Sequence, residues 1–291
     1  MASDGATVLL FPGQGSQTDD MEEHVERHLP DLLELARTEV GEDLFERADD
    51  GTLWAQPSIF CAALAGWQVL REQLEPDLMA GHSLGEIAAL VAADALTAED
   101  GLRLVAARGR FMQEAAERAE DGAGGMLAVR PRERAGVEEI AEAAGLTVAN
   151  DNAPDQLVLS GALSALDEAE ERLQKDRIRA KRLPVAGAFH SPLMEPAVEP
   201  FRKILADTEV RDQSVPVYSC VTAEPFDDVR ERLAQALTRP VRWLDVMRAL
   251  EQRGATRFVE TGPGRVLANL VRKSLDGVEA EAPLAMEAAR A

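Results

Sequence analysis

Ser83 stands between Gly81 and Gly85 in the stretch MAGHSLGEIAALVAA, Met79–Ala93, and the small and apolar residues after it recur at helical spacing. A Gly-x-Ser-x-Gly turn between a strand and a helix holds a serine in a strained conformation with its hydroxyl projecting outward. The flanking glycines let neighbouring backbone pass without a Cβ clash. The N–H of Leu84, at the positive end of the helix, points to the same place and suits a developing oxyanion. Such a serine would do acyl chemistry. A serine that merely caps the helix satisfies the same letters, so the motif alone leaves both readings open.

A serine nucleophile needs a base, and the chain has four histidines. His24 and His28 lie in an acidic, helix-prone stretch with no nucleophile beside them. His82 adjoins Ser83, and the side chains of successive residues diverge. Elimination favours His190, in GAFHSPLM, as the base, although a histidine satisfied in a core or loop is the ordinary alternative. Arg108 lies among Ala106, Ala107 and Gly109 in LRLVAARGRFMQEA. Small neighbours let another element pack close, and an arginine there suits a buried anion. A surface arginine paired with Glu114 is the plainer reading. The loop PGQGSQ, Pro12–Gln17, follows the apolar run Thr7–Phe11. Its Gly13-x-Gly15 pattern reaches Thr18 instead of a third small residue, and no Walker lysine follows, which speaks against dinucleotide and phosphate binding. Backbone N–H groups of such a loop can instead face an oxyanion.

These residues need elements to hold them. The 291 residues are 46% hydrophobic, enough for a large core with a smaller inserted lobe. Strands are predicted at Thr7–Phe11, Asp77–Ala80 and Val215–Cys220, with helices over Gln56–Leu74 (ended by Pro76), from the serine turn to Ala93, over Ala98–Arg118, and from Pro196 and Val229. RFVETGPGRVLANLV reads as strand, loop and helix. Residues 125–185 change texture: strand, helix, two strands, helix, strand, the ferredoxin-like order. They are expected to form a small subdomain inserted into an α/β domain of residues 1–124 and 186–291. The tail from Asp276 is expected to fray.

Composition excludes several function classes. Thirty-one basic against fifty-two acidic residues leave a net charge of −21, contrary to the basic face that nucleic acid requires. No apolar run reaches the roughly 20 residues of a membrane span, and Thr7–Phe11 is too short for an export signal, so a cytoplasmic protein is expected. Cys61 and Cys220 make no metal-ligand spacing and read as reduced core thiols. The run KDRIRAKR, ending in Lys181 and Arg182, is the strongest local basic surface. It could dock an acidic partner or discourage pairing at a strand edge.

Taken in order, FPGQGSQ, GHSLGE, RGRFMQEA, GAFHSPLM, PVRW and ETGPGRVLANL resemble the malonyl-CoA:acyl-carrier-protein transacylases and the related acyltransferase domains of polyketide synthases, from Val8 to about Leu275. The resemblance implies an α/β-hydrolase-like large subdomain with an inserted ferredoxin-like one. It implies Ser83 as nucleophile, His190 as base, and backbone N–H groups of Gln14 and Leu84 as the oxyanion hole. Arg108 would take the malonyl carboxylate, with Gln56 lining the pocket. Phe189 would favour malonyl over methylmalonyl. Malonyl-CoA and an acyl carrier protein would be the partners, and no metal or other cofactor would be needed. One departure concerns the histidine's orienting carbonyl: Ala236 stands where a glutamine is usual, and a carbonyl from any residue would serve. The alternatives are a trans-acting polyketide acyltransferase with another extender unit, a serine hydrolase or thioesterase using an aspartate such as Asp151 or Asp155, and a non-catalytic docking module.

Overall fold

In the computed structural model the described residues are 5–118, 124–185 and 187–288. Nine strands are numbered in chain order: β1 Ala6–Phe11, β2 Leu78–Gly81, β3 Gly124–Arg130, β4 Thr147–Ala153, β5 Gln156–Ala162, β6 Arg179–Arg182, β7 Val217–Tyr218, β8 Ala255–Glu260 and β9 Glu279–Glu281. They form two sheets.

The first sheet has the order β7-β2-β1-β8-β9 and every pairing in it is parallel. Val8 to Phe11 are all fully buried, as expected of a central parallel strand covered on both faces. Leu9 and Phe11 face one core with Met79 and the helices Thr52–Leu70, Gly85–Ala92 and Ala98–Glu117. Val8 and Leu10 face the other with Ala80, Trp243 and Phe258, beneath the helices Trp243–Gln252 and Val266–Ser274. Strand alternation thus divides one run of apolar residues between two cores.

The second sheet is antiparallel, in the order β4-β5-β3-β6, the ferredoxin-like arrangement. Leu127, Val129, Leu157 and Leu159 pack under the helices Arg134–Ala143 and Leu163–Lys175. Met126, Ala149 and Val158 point the other way and join the core of the large sheet. The small sheet therefore lays its helix-free face over the ends of the large sheet's strands. Its strands lie within residues 124–182, while Ala186, at the expected junction, is outside the described residues.

Two expectations need correction. The helix predicted over Gln56–Leu74 is Thr52–Leu70. Arg71, Glu72 and Gln73 are exposed and form a turn, after which Leu74 packs back on the core, so the helix ends before Pro76. The tail also holds structure where fraying was expected: β9 pairs in parallel with β8, Arg257 meets Glu281 at 2.7 Å, and a helix covers Pro283–Ala288. An edge strand with charged residues has too little apolar pattern to be visible in sequence. Residues 289–291 lie outside the described residues.

Candidate active site

The site forms at the carboxyl ends of β1 and β2, where open parallel sheets place their ligands. Ser83 lies two residues past the end of β2 at φ 54°, a left-handed conformation that a serine adopts only under constraint. The constraint is backbone packing. A Cβ on Gly81 would stand 2.0 Å from the Gly85 carbonyl, and one on Gly85 would stand 2.2 Å from the Phe11 oxygen. A third glycine belongs to the same device: a Cβ on Gly13 would stand 2.5 Å from the His82 oxygen. The PGQGSQ loop is thereby pressed against the serine turn. Gln14 and Leu84 both line the cavity there. Among the described residues none accepts a hydrogen bond from either N–H, which leaves two donors available to an oxyanion.

The structure brings His190 to Ser83 across 107 positions of sequence, with Nε2 2.8 Å from the serine Oγ. Its Nδ1 lies 2.8 Å from the carbonyl oxygen of Ala236. A carbonyl can only accept, so Nδ1 carries the proton and Nε2 presents its lone pair to the hydroxyl. Burial, aided by the charge of Arg108, pushes the imidazole down to about 3, so it is neutral at physiological pH. His190 is itself held at φ 58°. Both residues of the pair are thus fixed in strained backbone. Among the described residues no carboxylate completes a triad: Asp151 is bound by Arg134 at 2.6 Å, and Asp155 is exposed.

Arg108 is buried, at 3% exposure, and does not pair with Glu114, which instead binds Arg118 at 3.1 Å. Its Nη1 donates to Gln56 Oε1 at 2.8 Å and its Nη2 donates to Ser83 Oγ at 3.1 Å. Gln56 is held in turn, since its amide nitrogen donates to Thr52 Oγ1 at 2.8 Å. Gly109 makes this possible: a Cβ there would stand 2.7 Å from the Thr52 oxygen, so two helices cross closely beside the arginine. Burial lowers the guanidinium to about 10, against the field of Glu86, and it stays charged at neutral pH.

These groups open on a cavity of about 1030 Å³, whose other wall is the small sheet, through Met126, Ala128, Asn150, Asn152, Gln156 and Val158. Phe189 lines it and is buried, with its ring against Gly187, where a Cβ would stand 2.4 Å away. The sequence singled out Gly13 as part of its loop but not its contact with His82, and it did not single out Asn150 and Asn152. The two asparagines lie two apart in TVANDNA, on one face of a strand, and that spacing was their signal. Asn152 Oδ1 accepts from His82 Nε2 at 2.8 Å, which turns His82 away from the serine and ties the small sheet to the turn. Lys181 and Arg182 lie outside the cavity on the edge strand β6. Lys181 is exposed, whereas Arg182 is held by Asp167 at 2.6 Å and Glu170 at 2.9 Å.

The acyl transferase domain family matches residues 23–286. The chain belongs to that family. This acyltransferase is 38% identical over 290 residues to the polyketide biosynthesis protein ThaF of Burkholderia thailandensis, covering 94% of the chain and 25% of that protein. It is 36% identical over 283 residues to the malonyl CoA-acyl carrier protein transacylase of Bacillus subtilis, covering 91% of the chain and 89% of the relative. The chain thus spans a quarter of one relative and nearly all of the other. Among solved structures, the malonyl-CoA:acyl carrier protein transacylase of Xanthomonas oryzae superposes with a TM-score of 0.88 at 34% identity, over 98% of each chain. The acyltransferase shares that two-sheet fold. Among its described residues no helix is long and apolar enough to cross a membrane.

Proposed function

We propose that this acyltransferase moves a malonyl group from malonyl-CoA to the phosphopantetheine thiol of an acyl carrier protein, supplying fatty acid or polyketide synthesis in the cytoplasm. The observation that carries this reading is one oxygen with two partners: Ser83 Oγ lies 2.8 Å from Nε2 of His190 and 3.1 Å from Nη2 of the buried Arg108. The base makes the oxygen a nucleophile, and the cation beside it selects an acyl group ending in a carboxylate.

His190 takes the hydroxyl proton as Ser83 Oγ attacks the thioester carbonyl. The N–H groups of Gln14 and Leu84 hold the oxyanion. The tetrahedral intermediate collapses, the carbon–sulfur bond breaks, and the imidazolium returns its proton to the departing coenzyme A thiolate. The second step runs the same path in reverse with the carrier protein's thiol as nucleophile. Arg108 holds the malonyl carboxylate in both steps, Gln56 fixes the arginine, and Phe189 limits space at the α-carbon. Thioester exchange is redox-neutral and draws on no metal or other cofactor. Residues 1–124 and 186–291 form the catalytic subdomain in this reading, and residues 125–185 form its cover. A hydrolase reading would need a carboxylate behind the histidine, and Ala236 offers a neutral carbonyl.

Intact-protein mass spectrometry after mixing with a panel of acyl-CoAs tests it. A malonyl adduct on the peptide containing Ser83 is expected, discharged by holo carrier protein. An adduct on another peptide, or preferred loading of an uncarboxylated acyl group, would overturn the reading.

A further inference from the structure

Glu86 is a buried ionisable group that the mechanism above leaves unused. It sits in the first turn of the helix Gly85–Ala92, three residues after the nucleophile, and is 0% exposed. Its Oε1 accepts from the Cys220 N–H at 2.6 Å. A carboxylate meant only to favour a helix N-terminus could stay in water, whereas this one is sealed in the core, where a charge is costly. Arg108 is sealed in the same region, and its two hydrogen-bond partners, Gln56 and Ser83, are both neutral. Ser83 joins the two: its Oγ accepts from Arg108 Nη2, and its carbonyl accepts from the Glu86 N–H at 3.1 Å.

We propose that Glu86 is a positioning residue, the buried counter-charge of Arg108 in the empty site, and that it takes up a proton when an acyl carboxylate claims the arginine. The proposal rests on the malonyl-transfer reading and adds how the pocket's charge is balanced before and after the substrate arrives. A malonyl group brings a second anion to one guanidinium in a water-poor pocket, and a like charge favours the neutral form of the carboxyl already there. The proton comes from solvent, so the pocket keeps one cation against one anion in both states.

The surroundings suit this exchange. Burial pushes Glu86 up to about 7, while the Cys220 N–H, Arg108 and the Ser219 hydroxyl pull it down. Its own helix, β1 and β2 contain no other ionisable residue. From the helix Thr52–Leu70 the one ionisable group is Cys61, raised by burial. Cys220 and Tyr218, from β7 and the segment after it, are raised by burial as well. Beyond β2, burial lowers His82, and His190 is lowered to about 3. Arg108 is the buried charge of the helix Ala98–Glu117, and its Arg103, Arg110 and Glu117 are exposed. Glu86 is therefore the member of this group poised to change charge between pH 6 and 8.

The test is calorimetric titration of the Ser83→Ala variant, which cannot react, with malonyl-CoA and acetyl-CoA in buffers of different ionisation enthalpy. Proton uptake is expected with malonyl-CoA and absent with acetyl-CoA, whose identical nucleotide cancels in the comparison. The affinity ratio of malonyl- to acetyl-CoA should fall about 5-fold or more from pH 6 to pH 8. Adding Glu86→Gln should abolish both effects and tighten malonyl-CoA binding at pH 8. Glutamine keeps the acceptor for Cys220, so the fold should hold in this variant. A pH-independent ratio without proton uptake in Ser83→Ala alone would overturn the proposal, as would unchanged uptake in the double variant. No preference for malonyl-CoA at any pH is a separate result, and it would overturn the malonyl reading beneath.

Discussion

The two sheets enclose one cavity but contribute to it in different ways. The parallel sheet offers strand ends: Ser83 just past β2, the PGQGSQ loop past β1, and the helices that carry Arg108 and Gln56. The antiparallel sheet offers a strand face, with Met126, Ala128 and Val158 side by side and two asparagines among them. Strand ends can be bent into strained turns, whereas a face is constrained by its ladder and can only vary its side chains. Chemistry should therefore be concentrated on the first sheet and fit on the second. Changes at strand ends should alter whether and what the enzyme transfers, and changes on the small sheet how well its substrates fit.

The largest effects should fall on the Ser83–His190 pair. Ser83→Ala should form no acyl-enzyme, and His190→Ala should slow loading on the order of 10²–10⁴-fold in rapid-quench measurements. At saturating malonyl-CoA, the loading rate of the parent should not fall between pH 8 and pH 5. The imidazole is held down to about 3, so its base form persists throughout. A rate that dropped with a midpoint near 6.5 would show that His190 is solvated and would break the division between the sheets at its strongest point.

Next comes Arg108. Its guanidinium is fixed by Gln56 and reaches the serine oxygen, so it can pair with an acyl carboxylate without reorganising. Arg108→Ala should lose malonyl transfer and gain relative activity with acetyl-CoA. A variant that kept the parent's preference in a competition between the two thioesters would make the arginine structural.

How readily each part could be read from sequence follows the same division. The serine turn was readable because backbone strain demands glycine at fixed offsets, here Gly81 and Gly85, and strain leaves letters behind. His190 was readable by elimination, since only four histidines compete. The ferredoxin-like order was readable from alternating periodicity, which the helix-covered face of the small sheet enforces through Leu127, Val129, Leu157 and Leu159. Partnerships across long separations were not. His82 with Asn152 arises only when the two sheets meet, Glu86 with Cys220 and Gly13 against His82 only when separate strands of the parallel sheet pair, and no local rule in either segment predicts its partner. Lys181 and Arg182 looked equivalent as letters, yet the pleat sends one outward and gives the other to Asp167 and Glu170.

Phe189 gives a smaller effect. Its ring is buried and backed by Gly187, so it cannot retreat from an added methyl group. Overpacking there costs roughly 1–3 kcal/mol, which predicts that malonyl-CoA is loaded about 10-fold or more faster than methylmalonyl-CoA. Phe189→Ser should narrow that ratio in the same assay. Equal loading by the parent would refute the steric argument.

The smallest effect is expected on the outer edge of the small sheet. The acyltransferase carries −21, so an acidic carrier protein must approach against the long-range field and be caught by local cations. Arg182 already spends its charge on Asp167 and Glu170, and reversing it would also break two ion pairs. Arg179 and Lys181 are exposed on β6 and give the cleaner test. Arg179→Glu with Lys181→Glu should slow transfer to the carrier protein about 3- to 10-fold at low salt and leave loading from malonyl-CoA unchanged. Added salt should slow the parent's second step by screening the same contact. Unchanged transfer, with a new tendency to self-associate measured by light scattering, would assign these charges to protecting a strand edge that pairs on one side only. Loss of both half-reactions together would mean that the edge supports the fold of the cover.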